Sequence, residues 1–340
     1  MSILKLDCDQ EYRLNRLIAR GGMGSVYEAE QVGEAGFAKR VAIKMIRKRL
    51  ADNPEFIERF VAEANVAADL VHPNIVQVQN LKRAGGEYFI VMEYVEGVTL
   101  DRYLARHLDQ TLALPVDLAA FMVGRMCRAL DYAHREAVIG GRQVAVVHRD
   151  ICPRNVLVSF AGEVKISDFG IARAAHLVEP RQRQMMGRIE YMAPEQARGE
   201  APDGRCDIYS AGVVLYELIA GQVPERGSGS LERLLREGSA RPRRLREVRP
   251  EVPEELDAIV LRALEPDPEA RYPSAGNMAT ALERYLASRG TPPGRETLAD
   301  YLGAHFSKPE PWSRNRHPTA IDTPIRGGER GPQRPGKSPK

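Results

Sequence analysis

His148-Arg149-Asp150-Ile151-Cys152-Pro153-Arg154-Asn155 is followed, thirteen residues after the asparagine, by Asp168-Phe169-Gly170, and later by Ala193-Pro194-Glu195. The first run sets a carboxylate and an amide five residues apart in a loop. Asp150 can orient an attacking hydroxyl and accept its proton. Asn155 offers a neutral oxygen to a cation such as Mg²⁺. Asp168 adds a second carboxylate, which suits a hard cation bridging phosphates. Each triplet alone is common by chance; their order is what makes them specific.

Two upstream features join them. Gly21-Gly22-Met23-Gly24 lies between two predicted strands. Glycines there let backbone approach a phosphate, because no Cβ blocks the way. A plain hairpin turn would look the same, but strand-loop-strand context argues against a Rossmann loop or a P-loop. In Val41-Ala42-Ile43-Lys44-Met45-Ile46 the side chains alternate, so Val41, Ile43 and Met45 point one way and Ala42, Lys44 and Ile46 the other. Lys44 is either a snorkelling edge lysine or the partner of Glu63 on the next helix.

Composition narrows the class. The 340 residues suffice for one large two-lobed domain with a tail, or for two ordinary domains. No run of 18 apolar residues appears; the longest candidate, Ile208 to Ala220, contains Glu217. The N-terminus has no signal-peptide core, and Cys8, Cys127, Cys152 and Cys206 have neither zinc nor disulfide spacing. A cytoplasmic protein is expected. The net charge is +3, but Phe306 to Lys340 carries eight Lys or Arg against three Asp or Glu, or +5, leaving −2 for the body. That balance gives no support to a nucleic-acid enzyme. A basic tail is a solvated linker or a docking arm for a partner.

The chain reads as a strand-rich part followed by a helical one. Asn53 as N-cap and Pro54 in the first turn start a helix with the stripe Phe56, Phe60, Ala64, Ala67 and Val71. Strands near 75–81 and 88–95 flank Gly85-Gly86, and Gly97 marks a hinge. Long helices are predicted around Leu118–Ala133 and Ile208–Ile219, shorter ones at 230–237, 254–264 and 274–288. Leu298, Tyr301, Leu302 and His305 fit one further amphipathic helix. Residues 307–340 read as disordered.

This motif set resembles that of the bacterial eukaryotic-like serine/threonine protein kinases over roughly residues 12–288. The resemblance implies an α+β bilobal protein-kinase fold: a small strand-rich N-lobe with one helix (12–96) and a larger helical C-lobe (97–290). An extension (1–11) would precede it, and a short helix and basic tail (291–340) would follow. It implies ATP and Mg²⁺ (or Mn²⁺) as cofactors and proteins as substrates. By the same match Ala19, Arg20, Gly21, Gly22, Met23, Gly24, Val26, Ala42, Met92, Glu93, Val95 and Leu157 would surround the nucleotide. Lys44 would hold its α and β phosphates and pair with Glu63. Asp150 would be the base, and Asn155 and Asp168 the metal ligands. Met92 would be the gatekeeper before an adenine-contacting hinge, Glu93 to Val95. Glu195 would pair with Arg271, and Asp207 would brace the catalytic loop.

Three positions depart from the family pattern. Ala19 replaces the first glycine of the loop. Cys152 stands where these kinases carry a lysine that touches the γ-phosphate, and a lost charge of this kind costs about 10²–10³ in rate. Arg154, at the position tyrosine kinases use, or Arg188, where the family has a threonine, would supply the charge; otherwise Cys152 is a small buried filler and Arg154 faces solvent. From Ile171 to Glu195 there is no serine or threonine, so Arg149 would lack its phosphorylated partner. Glu179 or Glu190 would stand in, or Arg149 would bond locally, and activity would be constitutive or set by a partner. The competing function is a pseudokinase scaffold, favoured by Cys152 and Arg188; a small-molecule kinase fits poorly, given Ala193-Pro194-Glu195 and Arg271. Ala137 to Val144 is expected as a surface hairpin or loop. The run Arg241, Arg243, Arg244, Arg246 and Arg249 is a solvated loop or a dock for acidic substrates, and Thr323-Pro324 and Ser338-Pro339 are candidate autophosphorylation sites.

Overall fold

The computed structural model describes residues 3–4, 11–21, 24–46, 50, 53–84, 87–109, 114–169, 189–224 and 242–308, without the side chains of Arg59, Glu63 and Ala84. The expected Gly85-Gly86 turn, the helix at 230–237, Arg241 and the tail sites Thr323 and Ser338 lie outside the described residues.

The small lobe is built on β1 (Ile3–Leu4), β2 (Glu11–Arg20), β3 (Gly24–Val32), β4 (Ala38–Ile46), helix α1 (Pro54–Asp69), β5 (Val78–Ala84) and β6 (Glu87–Glu93). The strands form an antiparallel sheet in the order β1-β2-β3-β4-β6-β5. Strand alternation gives each face its own core. Val41 and Ile43 pack with Tyr12, Ala29, Phe89 and Val91 on one side. Ile46 and Ile90 pack on the other with Phe56, Phe60, Ala64 and Ala67 of α1. The helix starts as its sequence demands: the Asn53 side chain accepts the Phe56 N–H at 3.2 Å, with Pro54 in the first turn. Val71 does not continue its stripe. The helix ends at Asp69, and Val71 is 68% exposed.

The large lobe runs through β7 (Gly97–Thr99), α2 (Leu100–Asp109), α3 (Val116–Arg135), the pair β8 (Val138–Ile139) and β9 (Arg142–Gln143), β10 (Val156–Ser159) and β11 (Val164–Ile166). It continues with α4 (Pro194–Ala197), α5 (Arg205–Ala220), α6 (Leu245–Val248), α7 (Glu254–Ala263), α8 (Ala275–Ser288) and α9 (Arg295–His305). The β8–β9 pair is a hairpin turning on Gly140 and Gly141, both at positive φ. Helix α5 is buried almost all round, as its near-continuous apolar sequence requires.

Helix α9 belongs to the same core. Leu298 and Leu302 are fully buried in it. The His107 Nδ1–H donates to the Tyr103 carbonyl at 2.7 Å, so the Tyr301 hydroxyl donates to His107 Nε2 at 2.9 Å, and Phe306 stacks on Tyr103 with centroids 5.6 Å apart. Burial pushes the His107 imidazole below its ordinary range, so the neutral ring is the form that packs here. Gly162, at φ +77°, lies so close under α9 that a Cβ would meet the Arg295 carbonyl at 1.8 Å.

The two lobes are stitched beside the cleft. Val76 N–H donates to the Ile166 carbonyl at 2.8 Å, and Ile166 N–H to the Asn74 carbonyl at 2.9 Å. The Asn74 side chain donates to the Val164 carbonyl at 2.8 Å. The segment leading to Asp168 is thus fixed against the chain that follows α1.

Candidate active site

The sheet register places the small-lobe residues. Directly opposed residues in antiparallel strands share a face. Ala19 opposes Val26, Val26 opposes Lys44, and Ala42 opposes Met92. Ala42 and Lys44, two apart, share that face as well. Five expected nucleotide contacts therefore lie on one surface of the sheet. Gly24 closes its end: a Cβ there would strike the Met45 carbonyl at 1.9 Å, so only glycine lets these strands approach. Lys44 is nearly buried and its Nζ meets Asp168 Oδ1 at 2.6 Å. Gly22, Met23 and the Glu63 side chain lie outside the described residues, as do Arg188 and Glu179.

The catalytic-loop candidates are held from below. Asp207, with no exposed surface, accepts the His148 N–H at 2.8 Å, the Arg149 N–H at 2.7 Å and a bond from His134 Nε2 at 2.8 Å. Burial alone would raise its carboxyl. The bond and charge of His134 and the backbone donors outweigh that and hold it below the ordinary carboxylate range. These bonds support Arg149 in a left-handed conformation, φ +66°. Asp168 has φ +63°. Such strain in non-glycine residues persists only where surroundings enforce it, and it gathers at functional sites.

His148 is the pivot of the loop. Its Nδ1 lies 3.2 Å from the Asp150 N–H and its Nε2 lies 3.0 Å from the Ser167 carbonyl. Those partners select the neutral tautomer with the proton on Nε2. Phe169 packs edge-on against the ring at 4.6 Å. Asn155 locks the other side: its Nδ2 donates to the Asp150 carbonyl at 2.7 Å and to Asp150 Oδ2 at 3.0 Å. Its own carbonyl accepts the Ser167 N–H at 2.8 Å. The amide nitrogen faces Asp150, which leaves Asn155 Oδ1 as the atom for a cation. Two oxygen donors, from Asn155 and Asp168, fit an ion such as Mg²⁺ that keeps water and phosphate as its other ligands. Among the described residues no group of three His, Cys, Asp or Glu would hold an ion by protein alone.

Glu195 and Arg271 meet as a bidentate pair at 2.7 and 2.8 Å. The guanidinium, 2% exposed, also donates to the carbonyls of Glu265, Pro266 and Arg205 and lies over Tyr209. Gln196 donates to the Arg149 carbonyl at 3.1 Å, joining this segment to the loop; nothing in the sequence singled it out. Tyr191 is committed to the core, its hydroxyl 2.6 Å from Glu217. Cys152 is buried. Arg154 has a 75% exposed side chain and lies 3.7 Å from Asp101 at the start of α2, where Asp101 also bonds Thr99. Glu93, in the expected hinge, accepts from Lys165 at 2.9 Å and from the Gln77 N–H at 2.8 Å. Met92 faces a small cavity beside Asp168 and Phe169.

The model of the protein kinase domain matches residues 12–282. The chain belongs to the protein kinase family. This kinase is 40% identical over 321 residues to the tyrosine-protein kinase MasK of Myxococcus xanthus, covering 93% of this chain and 49% of MasK. It is 37% identical to the serine/threonine-protein kinase PrkC of Bacillus subtilis, over 80% of this chain and 40% of PrkC. It is 36% identical to the serine/threonine-protein kinase PknA of Mycobacterium tuberculosis, over 95% of this chain and 74% of PknA. The chain thus spans about half or less of MasK and PrkC. The solved PknI kinase domain of M. tuberculosis superposes with a TM-score of 0.61 at 30% identity, covering 81% of this chain and 96% of that one. The bilobal fold and the bacterial serine/threonine-kinase relationship expected from the motifs stand on these matches. Protein kinases use ATP with Mg²⁺ or Mn²⁺. Among the described residues no helix is long and apolar enough to cross a membrane.

Proposed function

We propose that this kinase transfers the γ-phosphoryl group of ATP to serine or threonine hydroxyls of proteins. The observation that carries the reading is the locked loop: Asp150, held by Asn155 and His148, beside the Lys44–Asp168 ion pair of 2.6 Å. Lys44 would bind the α and β phosphates. Asn155 and Asp168 would hold Mg²⁺, which when bound neutralises charge on the phosphates. The acceptor oxygen attacks γ-phosphorus, its proton passes to the Asp150 carboxylate, and the bond from γ-phosphorus to the β-phosphate oxygen breaks to release ADP. Ala19, Val26, Ala42, Met92 and Leu157 would enclose the adenine, with hinge backbone from Glu93 to Val95.

Cys152 brings no cation to the γ-phosphate, so a neighbouring arginine must supply it. Arg154 is exposed on the loop itself; Arg188 is the alternative. Tyrosine acceptors form a second reading, favoured by Arg154 at its position four residues after Asp150 and by the likeness to MasK.

Labelled ATP with the purified protein and a generic acceptor should give phosphoserine or phosphothreonine, and Asp168→Ala should abolish it. Incorporation that Asp168→Ala leaves untouched would reject the enzyme and favour a scaffold. Phosphotyrosine as the product would select the second reading. Arg154→Ala or Arg188→Ala should lower the rate by about 10²–10³; wild-type rates in both would remove the arginine substitution from the mechanism.

A further inference from the structure

A recess borders the hinge. Tyr94, Val95, Glu96, Phe160, Ala161 and Lys308 are among its walls, and its volume is about 270 Å³. Ala19, Val26, Ala42 and Leu157 take no part in it, so it is distinct from the surface proposed for the nucleotide, although Glu93 and Val95 border both.

Its three glutamates are already paired. Glu93 meets Lys165 at 2.9 Å, Glu96 meets Arg40 at 2.9 Å, and Glu163 meets Arg295 at 3.1 Å. A cationic ligand would find no glutamate of the wall without a partner. A flat, amphipathic group suits it better: one that buries a ring against Val95 and Phe160 and gives a single N–H to a carboxylate or carbonyl at the rim.

The fold delivers such a group. Helix α9 is anchored by buried Leu298 and Leu302, and its Arg295 Nε donates to the Ala161 carbonyl at 2.7 Å on the recess wall. After Phe306 the chain reaches Lys308, itself part of the wall. The next residues are Pro309-Glu310-Pro311-Trp312, and Trp312 is the sole tryptophan of the chain. Four residues from Lys308 reach up to about 13–14 Å. Two prolines favour extended backbone over recoil.

We propose that Trp312 of the same chain seats in this recess and braces the hinge from outside the nucleotide surface. Seated there, the indole fixes the backbone of Tyr94 and Val95 and ties the small lobe to α9. The effect on nucleotide binding rests on the hinge role given under the proposed function; the seating itself does not.

The sole tryptophan is its own reporter. In the full chain its emission should be blue-shifted, and its quenching by acrylamide several-fold weaker than that of N-acetyltryptophanamide. Ala161→Arg fills the mouth of the recess from an exposed turn, and should move emission and quenching to solvent-like values while the melting transition keeps its cooperativity. Trp312→Ala should raise the KM for ATP a few-fold with kcat retained. A solvent-like Trp312 in the wild-type chain overturns the proposal. So does a protected Trp312 indifferent to Ala161→Arg, or protection that appears only as protein concentration rises, which would place a second copy's tail in the recess. Because fluorescence needs no turnover, loss of the seating and loss of the kinase reading are told apart.

Discussion

Asp150→Asn should lower kcat by about 10²–10⁴-fold, the usual contribution of a positioned general base. The KM for ATP should stay near wild type. The change is close to isosteric, and Asn155 Nδ2 can still donate to the new side-chain oxygen as it does to Asp150 Oδ2 at 3.0 Å. The loop backbone is fixed independently, because Asp207 holds the amides of His148 and Arg149. What disappears is the acceptor proposed for the proton of the attacking hydroxyl. Steady-state kinetics on a protein acceptor, with nucleotide binding measured separately, would separate loss of chemistry from loss of binding. Undiminished turnover would mean that the proton leaves by another route, and Asp150 would lose its role.

Glu195→Ala should cost stability rather than chemistry alone. Removing one partner of a buried ion pair costs about 3–5 kcal/mol, because the other charge is left without compensation. Arg271, 2% exposed, cannot reach water without moving the core around it. Three backbone carbonyls remain as its acceptors, from Glu265, Pro266 and Arg205, but none carries the opposing charge. A fall in Tm on the order of 10 °C is expected for a chain of this size. The double variant Glu195→Ala/Arg271→Met should recover much of it, since an apolar pair removes the stranded charge. Thermal unfolding of the three proteins decides the matter. A single-variant effect within about 0.5 kcal/mol, the usual range for surface positions, would mean the pair is not holding this segment.

The loop proposed to carry the chemistry was legible because its residues are close in sequence. Asp150, Asn155 and Asp168 are set by local spacing, and strand alternation fixed which way Lys44 and Val41 point. The N-cap at Asn53 is equally local. Features that depend on distant partners were not legible. Arg154 could face the loop or the solvent by its own sequence; Asp101, from another element, is the charge it meets at 3.7 Å. His148 as the link between Asp150 and Ser167, and Gln196 as the link to Arg149, each need the tertiary path of the chain. Val71 continues the helical period in sequence but falls past the end of α1, where nothing covers it. Register across three strands, which gathers Ala19, Val26, Ala42, Lys44 and Met92 on one face, was only implied by resemblance until pairing was seen.

The contact between Gly162 and Arg295 has a practical corollary. A gene fragment stopped at Gly290 would keep every motif residue and still leave out part of the enzyme. It would strip Tyr103 and His107 of their aromatic cover and remove Leu298 and Leu302, two fully enclosed side chains, from the large-lobe core. Losing leucines of that kind costs about 2–5 kcal/mol each, a large part of the margin by which a domain stays folded. A fragment that ends after Phe306 would keep these contacts, because α9 packs as part of the large-lobe core.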